Sequence, residues 1–588
     1  MATRFLESTD EGLVFDGNDG PYLIRTEVTI GNSVGDRPAA LDISGGAGQS
    51  ITNFGKILGN GTGLKAAVSE SVVYNRDGAN EGGTIRGTET GLELVGVLNT
   101  LVNESVFGIS GGEVGVKLNS AFSTVVNSGR IEADFGGIGL MIEGQDNYIL
   151  NQRLGVISAS TAIVVASEDA EIVNFSVIVG DSMAIEFTDE ALGGIIRNSG
   201  RISVREETAI LGNDTAQKVF NSGEIDGEVR LEGGNDLFDG RQGESATVYG
   251  GKGRDTLLGS DDFDQLYGDE GNDSIVGGNG ENFLSGGNGE DTLIGGANQD
   301  RIFGGQDDDI LHGGASNDLL SGGAGDDTLF GGTGRDELYG RIGDDSLSGG
   351  DNKDTLFGND GNDTLHGGDD DDRIEGGAGD DEISGDAGND TLIGGGGSDT
   401  LHGGAQADSL VAGDGFINSL YGEEGQDTLI GGNGFDILDG GVGNDVLDGG
   451  RSSDVLYGGA GADLLMGGNG LDLLVGDGGQ DTLYGGNGPD IFEFRSSGDS
   501  HWDLSRADII ADFERGVDQI DIEETNKTDS FYELVDSFTG SGGAEFFLRI
   551  IDGTSTQVIL DVNGDGSSDS SILVSGVTGL TFSDFFEV

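Results

Sequence analysis

The chain has no cysteine, three prolines, one tryptophan and four histidines, and its 29 lysines and arginines stand against 107 aspartates and glutamates. Without cysteine there is no disulfide scaffold and no thiolate metal or redox site. A formal net charge of -78 repels phosphate backbones, so nucleic acid is excluded as a partner. No apolar run reaches the roughly 18 residues of a membrane-spanning helix, and no membrane insertion is expected. No histidine precedes His312 and no His-Glu-x-x-His occurs, which removes the zinc-protease motif. The first residues, Met1 to Asp10, lack the apolar core of a signal peptide.

What the chain does have is glycine, 116 of its 588 residues, and a strict period. Between Asp255 and Asp490 a nine-residue unit close to Gly-Gly-x-Gly-x-Asp-x-Leu-x recurs 27 times. Its sixth position is Asp255, Asp264, Asp273, then Asn282, then Asp291, Asp300, Asp309, Asp318, Asp327, Asp336, Asp345, Asp354, Asp363, Asp372, Asp381, Asp390, Asp399 and Asp408. One extra residue shifts the register to Asn418. The count then resumes through Asp427, Asp436, Asp445, Asp454, Asp463, Asp472, Asp481 and Asp490. Two positions after each stands an apolar residue, from Leu257, Leu266 and Ile275 to Leu483 and Phe492. Carboxylate, glycine and aliphatic in fixed slots are the sequence form of a calcium-binding parallel β-roll.

The residue types have geometric causes. Glycine takes the positive backbone angles of tight turns and lets carbonyls approach an ion. The tail of each unit, such as Thr256-Leu257-Leu258, is a short strand with one inward side chain. Two units make one flattened turn, so Asp255, Asp273, Asp291 and Asp309 form one column. Asp264, Asp300, Asp318 and Asp336 fall in the opposite one. Carboxylates stacked about 4.8 Å apart repel unless a cation lies between them, and oxygen donors suit Ca²⁺. One buried leucine per nine residues supplies much less than the entropy of ordering them. Ion binding must close the gap, so the expectation is a chain disordered at low calcium and folded at high calcium. Asn282 and Asn418 are expected to be weakened positions, and Arg301, Arg335, Arg341, Lys353, Arg373 and Arg451 solvated outward residues.

The nonapeptide block resembles the RTX (repeats-in-toxin) proteins, and the segment after it resembles the stretch beyond the last repeat in RTX proteases and polysaccharide-modifying enzymes. That segment reads Ile491-Phe492-Glu493-Phe494, Asp499-Ser500, Ala507-Asp508 through Asp512-Phe513, and Gly516-Val517-Asp518 through Asp521. The end, from Asp561-Val562-Asn563-Gly564-Asp565-Gly566 through Gly579 to Val588, is similar to the C-terminal signal of type I secretion substrates. The resemblance covers roughly 233–588. It implies export by the type I secretion machinery of a Gram-negative bacterium without a cleaved N-terminal signal, and an extracellular or cell-surface address. The stretch Asp561-x-Asn563-x-Asp565-Gly566-x-x-Asp569 has the early ligands of an EF-hand loop, but Ile572 stands at its twelfth position. A polar turn between two apolar strands explains it about equally well.

The first 230 residues carry a looser motif: Asn53-Phe54-Gly55-Lys56-Ile57, Asn127-Ser128-Gly129-Arg130-Ile131, Asn198-Ser199-Gly200-Arg201-Ile202 and Asn221-Ser222-Gly223-Glu224-Ile225. Degenerate copies surround Asn80, Asn103, Asn151 and Asn174, at spacings of 23 or 24 after Asn80. With short apolar runs such as Ala162 to Ala166 between them, this predicts a right-handed parallel β-helix with an asparagine corner ladder of structural role. Gly227 to Leu231 runs straight into Gly233-Gly234-Asn235-Asp236-Leu237-Phe238, an imperfect first repeat. The predicted fold is all-β: a β-helix over 1–232, a calcium-binding β-roll over 233–492, and a β-rich cap with the secretion signal over 493–588.

Catalytic groups are hard to find. His312, His366 and His402 each follow an inward leucine and so face outward, and His501 lies in the cap. Gly31-Asn32-Ser33-Val34-Gly35 and Gly108-Ile109-Ser110-Gly111-Gly112 match a nucleophile elbow but lack its strand–turn–helix context and a nearby base. Arg130 and Arg201 share a coil position three coils apart. Two functional readings remain. One is a non-catalytic calcium-folded protein of the surface, matrix, surface layer or adhesive type, with self-assembly or an extracellular polysaccharide as partner. The other is a polyuronate lyase or epimerase, which needs an acid–base pair and basic groups clustered on one β-helix face.

Overall fold

Short strands with one apolar face bury it when they stack coil upon coil, and the computed structural model shows that arrangement. The structure describes residues 83–495 without interruption, residues 507–522, 555–561 and 570–580, and shorter segments elsewhere. The chain divides into two compact units, Met1–Gln306 and Asp307–Val588.

In the first unit an early coil lays down three strands, Thr100–Asn103, Ile109–Gly111 and Val114–Ala121. Each pairs in parallel with its counterpart one coil on. Along the first of these sheets one inward column runs Leu101, Val125, Ile149, Ile172, Ile196 and Val219, and all are fully buried. Each such side chain contributes about 1.5–3 kcal/mol on leaving water.

An asparagine ladder closes the corner after these strands. Asn53 donates to Asn75 at 2.9 Å, Asn75 to Asn103 at 2.9 Å, and the chain of amides continues through Asn127, Asn151, Asn174 and Asn198 to Asn221. One expectation is corrected here. The rung below Asn103 is Asn75, at the end of the strand Val72–Asn75, and not Asn80. The coil between them is 28 residues long, so a constant period counts back to the wrong asparagine. Asn80 itself lies outside the described residues.

The β-helix passes into the roll without a break in the sheet. Val219 pairs with Phe238, Phe238 with Leu257 and Leu257 with Ile275. The step along this column shortens from 23 residues (Ile196 to Val219) to 19 and then 18, because each roll coil has two strands instead of three. The opposite strand shortens in parallel, with Thr247–Lys252 pairing onto Gln265–Glu270.

In the second unit the two alternating sheets are regular. Ile310–Ala315 pairs with Thr328–Thr333, and Leu319–Ala324 with Glu337–Ile342. Leu311, Leu329, Leu347 and Leu365 point inward on one sheet, and Leu320, Leu338, Leu356 and Ile374 on the other, at 0–1 % exposure. After the last repeat, Asp508–Ile510 adds to the strand Thr482–Asn487, and Gln519–Ile522 to Ile491–Phe494. An antiparallel set, Glu545–Ile551, Ser555–Asp561 and Ser570–Val574, comes next, and its last strand pairs with Asp508–Ile510. The EF-hand-like residues Asn563 to Asp569, and His501 with Trp502, lie outside the described residues.

Candidate metal centre

Each nine-residue unit turns a corner just before its strand, and the aspartate at that corner is buried. From Asp255 to Asp490 the sixth-position aspartates are 0–3 % exposed. Along the ladders within each unit, Oδ1 caps the coil before it. In the first unit Asp255 N–H donates to Asp273 Oδ1 and Asp273 N–H to Asp291 Oδ1, both at 2.7 Å. In the second unit one ladder climbs from Asp309 through Asp327, Asp345, Asp363 and Asp381 to Asp399. The other runs from Asp318 through Asp336, Asp354, Asp372, Asp390, Asp408, Asp427, Asp445 and Asp463 to Asp481. Asp436, Asp454, Asp472 and Asp490 continue the first ladder beyond Asn418.

The second carboxylate oxygen is the chemically telling atom. At every aspartate rung from Asp327 to Asp472, Oδ2 is buried and meets no hydrogen-bond donor. It lies against the first glycine of its own unit. A Cβ on Gly349 would sit 2.5 Å from Asp354 Oδ2 and 2.7 Å from the Gly367 carbonyl oxygen one coil on. Carboxylate and carbonyl oxygens therefore converge on one side of that glycine, and only glycine leaves the space open. The second and fourth positions turn with positive φ, as Gly323 at 131° and Gly325 at 134° do.

Stacked anions in this setting hold protons tightly. Burial, and then the carboxylates above and below, push Asp345, Asp354 and Asp454 up to about 8. Asp273, Asp372, Asp381 and Asp408 are raised to about 7 by the same causes. A buried, donor-less oxygen beside carbonyls calls for a hard cation. Among the described residues no three carboxylates or imidazoles converge, so backbone carbonyls must complete such an ion's shell. Calcium accepts that donor set, whereas softer metals ask for nitrogen or sulfur.

Several positions depart from the pattern. Asp264 occupies its rung, but Ser260 donates to its Oδ2 from N–H at 2.6 Å and from Oγ at 2.9 Å. Asn282 uses Oδ1 to accept the Asp264 N–H at 3.0 Å, which fixes its amide so that Nδ2 faces Gly277 and donates to the Gly280 carbonyl at 3.1 Å. Its carbonyl is taken up by the ladder, so the rung offers an N–H₂ where its neighbours offer an oxygen. The ladder also contains aspartates that the nonapeptide count omits. Asp236 precedes Asp255, Asp508 accepts from Asp481 at 3.0 Å, and Asp518 accepts from Asp490 at 3.1 Å. Their trace in the sequence is Asp-x-apolar without the first two glycines of a unit: Asp236-Leu237-Phe238, Asp508-Ile509-Ile510 and Asp518-Gln519-Ile520.

His312, His366 and His402 face outward in a single column with the register His312, Phe330, Ser348, His366, Ser384, His402 and Tyr421. Ser110 lies within the strand Ile109–Gly111, so no elbow forms around it, and Asn32 to Gly35 lie outside the described residues. Arg130 and Arg201 do share a column, separated by Val156 and Val177.

The family described as the RTX calcium-binding nonapeptide repeat matches the chain in nine stretches, some of them overlapping, from 249–284 to 457–492, interrupted between 416 and 421. The interruption falls at the extra residue before Asn418. Residues 249–492 are RTX calcium-binding repeats, and calcium is the ion they bind. No curated protein matches the chain.

Proposed function

We propose that this RTX-repeat protein is secreted, folds on calcium outside the cell, and acts without catalysis as a surface, matrix, surface-layer or adhesive protein. The observation that carries the reading is the column of buried aspartates whose Oδ2 atoms have no protein donor. In its ionised form such a column needs an ion between its rungs, and sites of this extracellular kind fill at about 0.1–1 mM calcium. The sixth-position aspartates supply the carboxylate ligand, and the glycine carbonyls the remainder. No helix among the described residues is long and apolar enough to cross a membrane.

The charges on the β-helix favour the non-catalytic reading over the lyase. Several of its basic side chains are engaged by acids of the same surface: Lys117 with Glu143, Arg197 with Glu171, Arg201 with Asp226 and Arg205 with Asp181. A polyuronate site needs such cations turned toward the sugar carboxylate. The column holding Arg130 and Arg201 has valines between them, so it makes no basic row.

The test is light scattering of the purified protein through a calcium titration, with negative-stain microscopy at the end point. Ordered sheets or filaments at about millimolar calcium support the structural role. A monodisperse end point removes self-assembly from the proposal. Turnover of a polyuronate by the calcium-loaded protein would replace the non-catalytic reading with the lyase.

A further inference from the structure

One edge of the roll changes character at a single coil. In the second unit the residue just before each buried aspartate of one column is exposed. From Asp308 through Asp326, Asp344 and Asn362 to Asp380, each side-chain oxygen accepts the N–H of its counterpart one coil on, at 2.8–2.9 Å. This outer ladder ends at Ser398, whose N–H donates to Asp380 at 2.7 Å. The next turn departs from the repeat in three ways. Ala412 fills the first-glycine position, Asn418 replaces the aspartate, and an extra residue shifts the register between Asp414 and Ile417. Asn418 uses its amide within the ladder, accepting the Asp399 N–H at 3.0 Å and donating to Asp436 at 2.8 Å. This corner lacks the carboxylate of its neighbours, and what it presents instead is apolar: Phe416 is 87 % exposed and Ile417 55 %. The column stays uncharged beyond it. Ile417 pairs with Phe435, and Ser453, Leu471 and Pro489 follow at the same place in later coils.

Bulges and breaches of a local rule gather at functional positions. An apolar strip on a chain of net charge -78 reads as a contact surface. The column beside the strip indicates the partner. Asp414 pairs with Asn433 and Asn433 with Arg451, and all three are exposed. One acid and one base thus stand one coil to either side of Asn433. A two-fold axis through the Asn433–Phe435 coil sets Asp414 of one copy against Arg451 of the other, twice over. The same rotation sets Phe435 against its own copy and the protruding Phe416 and Ile417 against the small Ser453. An edge carrying the Asp308–Asp380 ladder would repel its copy in any such pairing.

We propose that the edge from Phe416 to Pro489 docks a second copy of this chain, with the two rolls antiparallel about Phe435. This rests on the self-assembling form of the proposed function and names its contact. Five coils about 4.8 Å apart make a strip roughly 19 Å long. Such a strip, one turn wide, buries less than the about 800 Å² per partner of a standard interface. The contact is therefore weak in dilute solution and holds where copies are concentrated or joined at several points.

The test exploits the absence of cysteine from the chain. A disulfide needs Cα atoms within about 7 Å of each other, which two copies reach only near the axis. Asn433→Cys in the calcium-loaded full chain should form a disulfide-linked dimer under mild oxidation. It should do so about tenfold faster than Ala462→Cys, an exposed position on the opposite edge. Adding Asp414→Arg or Arg451→Asp to the Asn433→Cys chain should slow linking about tenfold, since like charges then meet twice. Combining the two exchanges should restore it, which a foreign apolar partner would not do. Circular dichroism in calcium checks that each of these surface variants folds. Equal linking at Asn433 and Ala462, or charge exchanges without effect, overturns the proposed contact. Calcium-dependent scattering that persists beside such a result keeps self-assembly and moves it to another surface, and its loss removes self-assembly as well.

Discussion

The backbone N–H of Asp327 donates to Oδ1 of Asp345 at 2.8 Å, while Oδ2 of the same carboxyl group meets no donor. One oxygen holds the fold and the other is left for an ion. The two roles separate by mutation. Asp345→Ala leaves the Asp327 N–H buried and unpaired, at a cost of about 1–3 kcal/mol with or without calcium. Asp345→Asn keeps the acceptor and removes the anion. It should be harmless or mildly stabilising in chelator and should raise the calcium needed for folding. Circular dichroism titrations of both variants check this; identical calcium curves for Asp345→Asn and the unaltered protein would leave Oδ2 without a metal role.

Gly349→Ala tests the cradle rather than the ladder. The added methyl group would stand 2.5 Å from Asp354 Oδ2 and 2.7 Å from the Gly367 oxygen, so one of them must move. Overpacking of this sort costs about 1–3 kcal/mol. Here it also displaces two candidate ligands, so the loss should be larger in calcium than in chelator. Thermal melts in both conditions measure the difference.

The β-helix ladder is neutral, and its response to calcium should differ. Asn151 accepts from Asn127 at 2.9 Å and donates to Asn174 at 2.8 Å. Asn151→Ala strands both neighbours, about 1–3 kcal/mol for each buried group left unpaired. Peptides around Leu101 to Asn151 should lose hydrogen-exchange protection to the same extent with and without calcium. A loss seen only in chelator would mean that the ion supports these coils as well.

Much of the fold is legible in the chain because a strict period leaves little freedom. A constant step of nine places Asp255, Asp273 and Asp291 in one column whatever the details of the turn, and the structure stacks them. Where the period breaks, legibility ends with it. A count by 23 or 24 lands on Asn80 rather than Asn75 because a 28-residue coil interrupts the spacing. Asp236 is legible only as part of an imperfect first repeat, and Asp508 and Asp518 escape the nonapeptide pattern because they keep the backbone position but have lost the paired glycines that announce it. The corner that holds Asn147 and, after Ala170, Gly194 and Gln217, Asp236 is invisible in sequence for a related reason. An amide oxygen and a carboxylate oxygen cap the coil before them equally well, so geometry constrains the position and not the residue type.

Proton and calcium compete for the same oxygens, and the raised carboxyls set the direction. Burial first, then stacked charge, hold Asp345, Asp354 and Asp454 up to about 8 in the ion-free fold, against the usual carboxylate value of about 4 in an unfolded chain. The folded chain therefore binds more protons than the unfolded one between those limits. Ion-free stability is fully present below about pH 4 and is lost as pH rises toward about 8. Calcium ligation demands the deprotonated form, so each ion releases protons as it binds. Lowering pH from about 8 to about 6 should raise the calcium midpoint, about tenfold per pH unit for each proton displaced per ion. In chelator the roll should regain β structure as pH falls toward about 4, the protons standing in for the ions. Calcium titrations followed by circular dichroism across this range check both limbs. A midpoint indifferent to pH would mean that these carboxyls are already ionised in the ion-free fold, and that their burial is not what makes the roll depend on calcium.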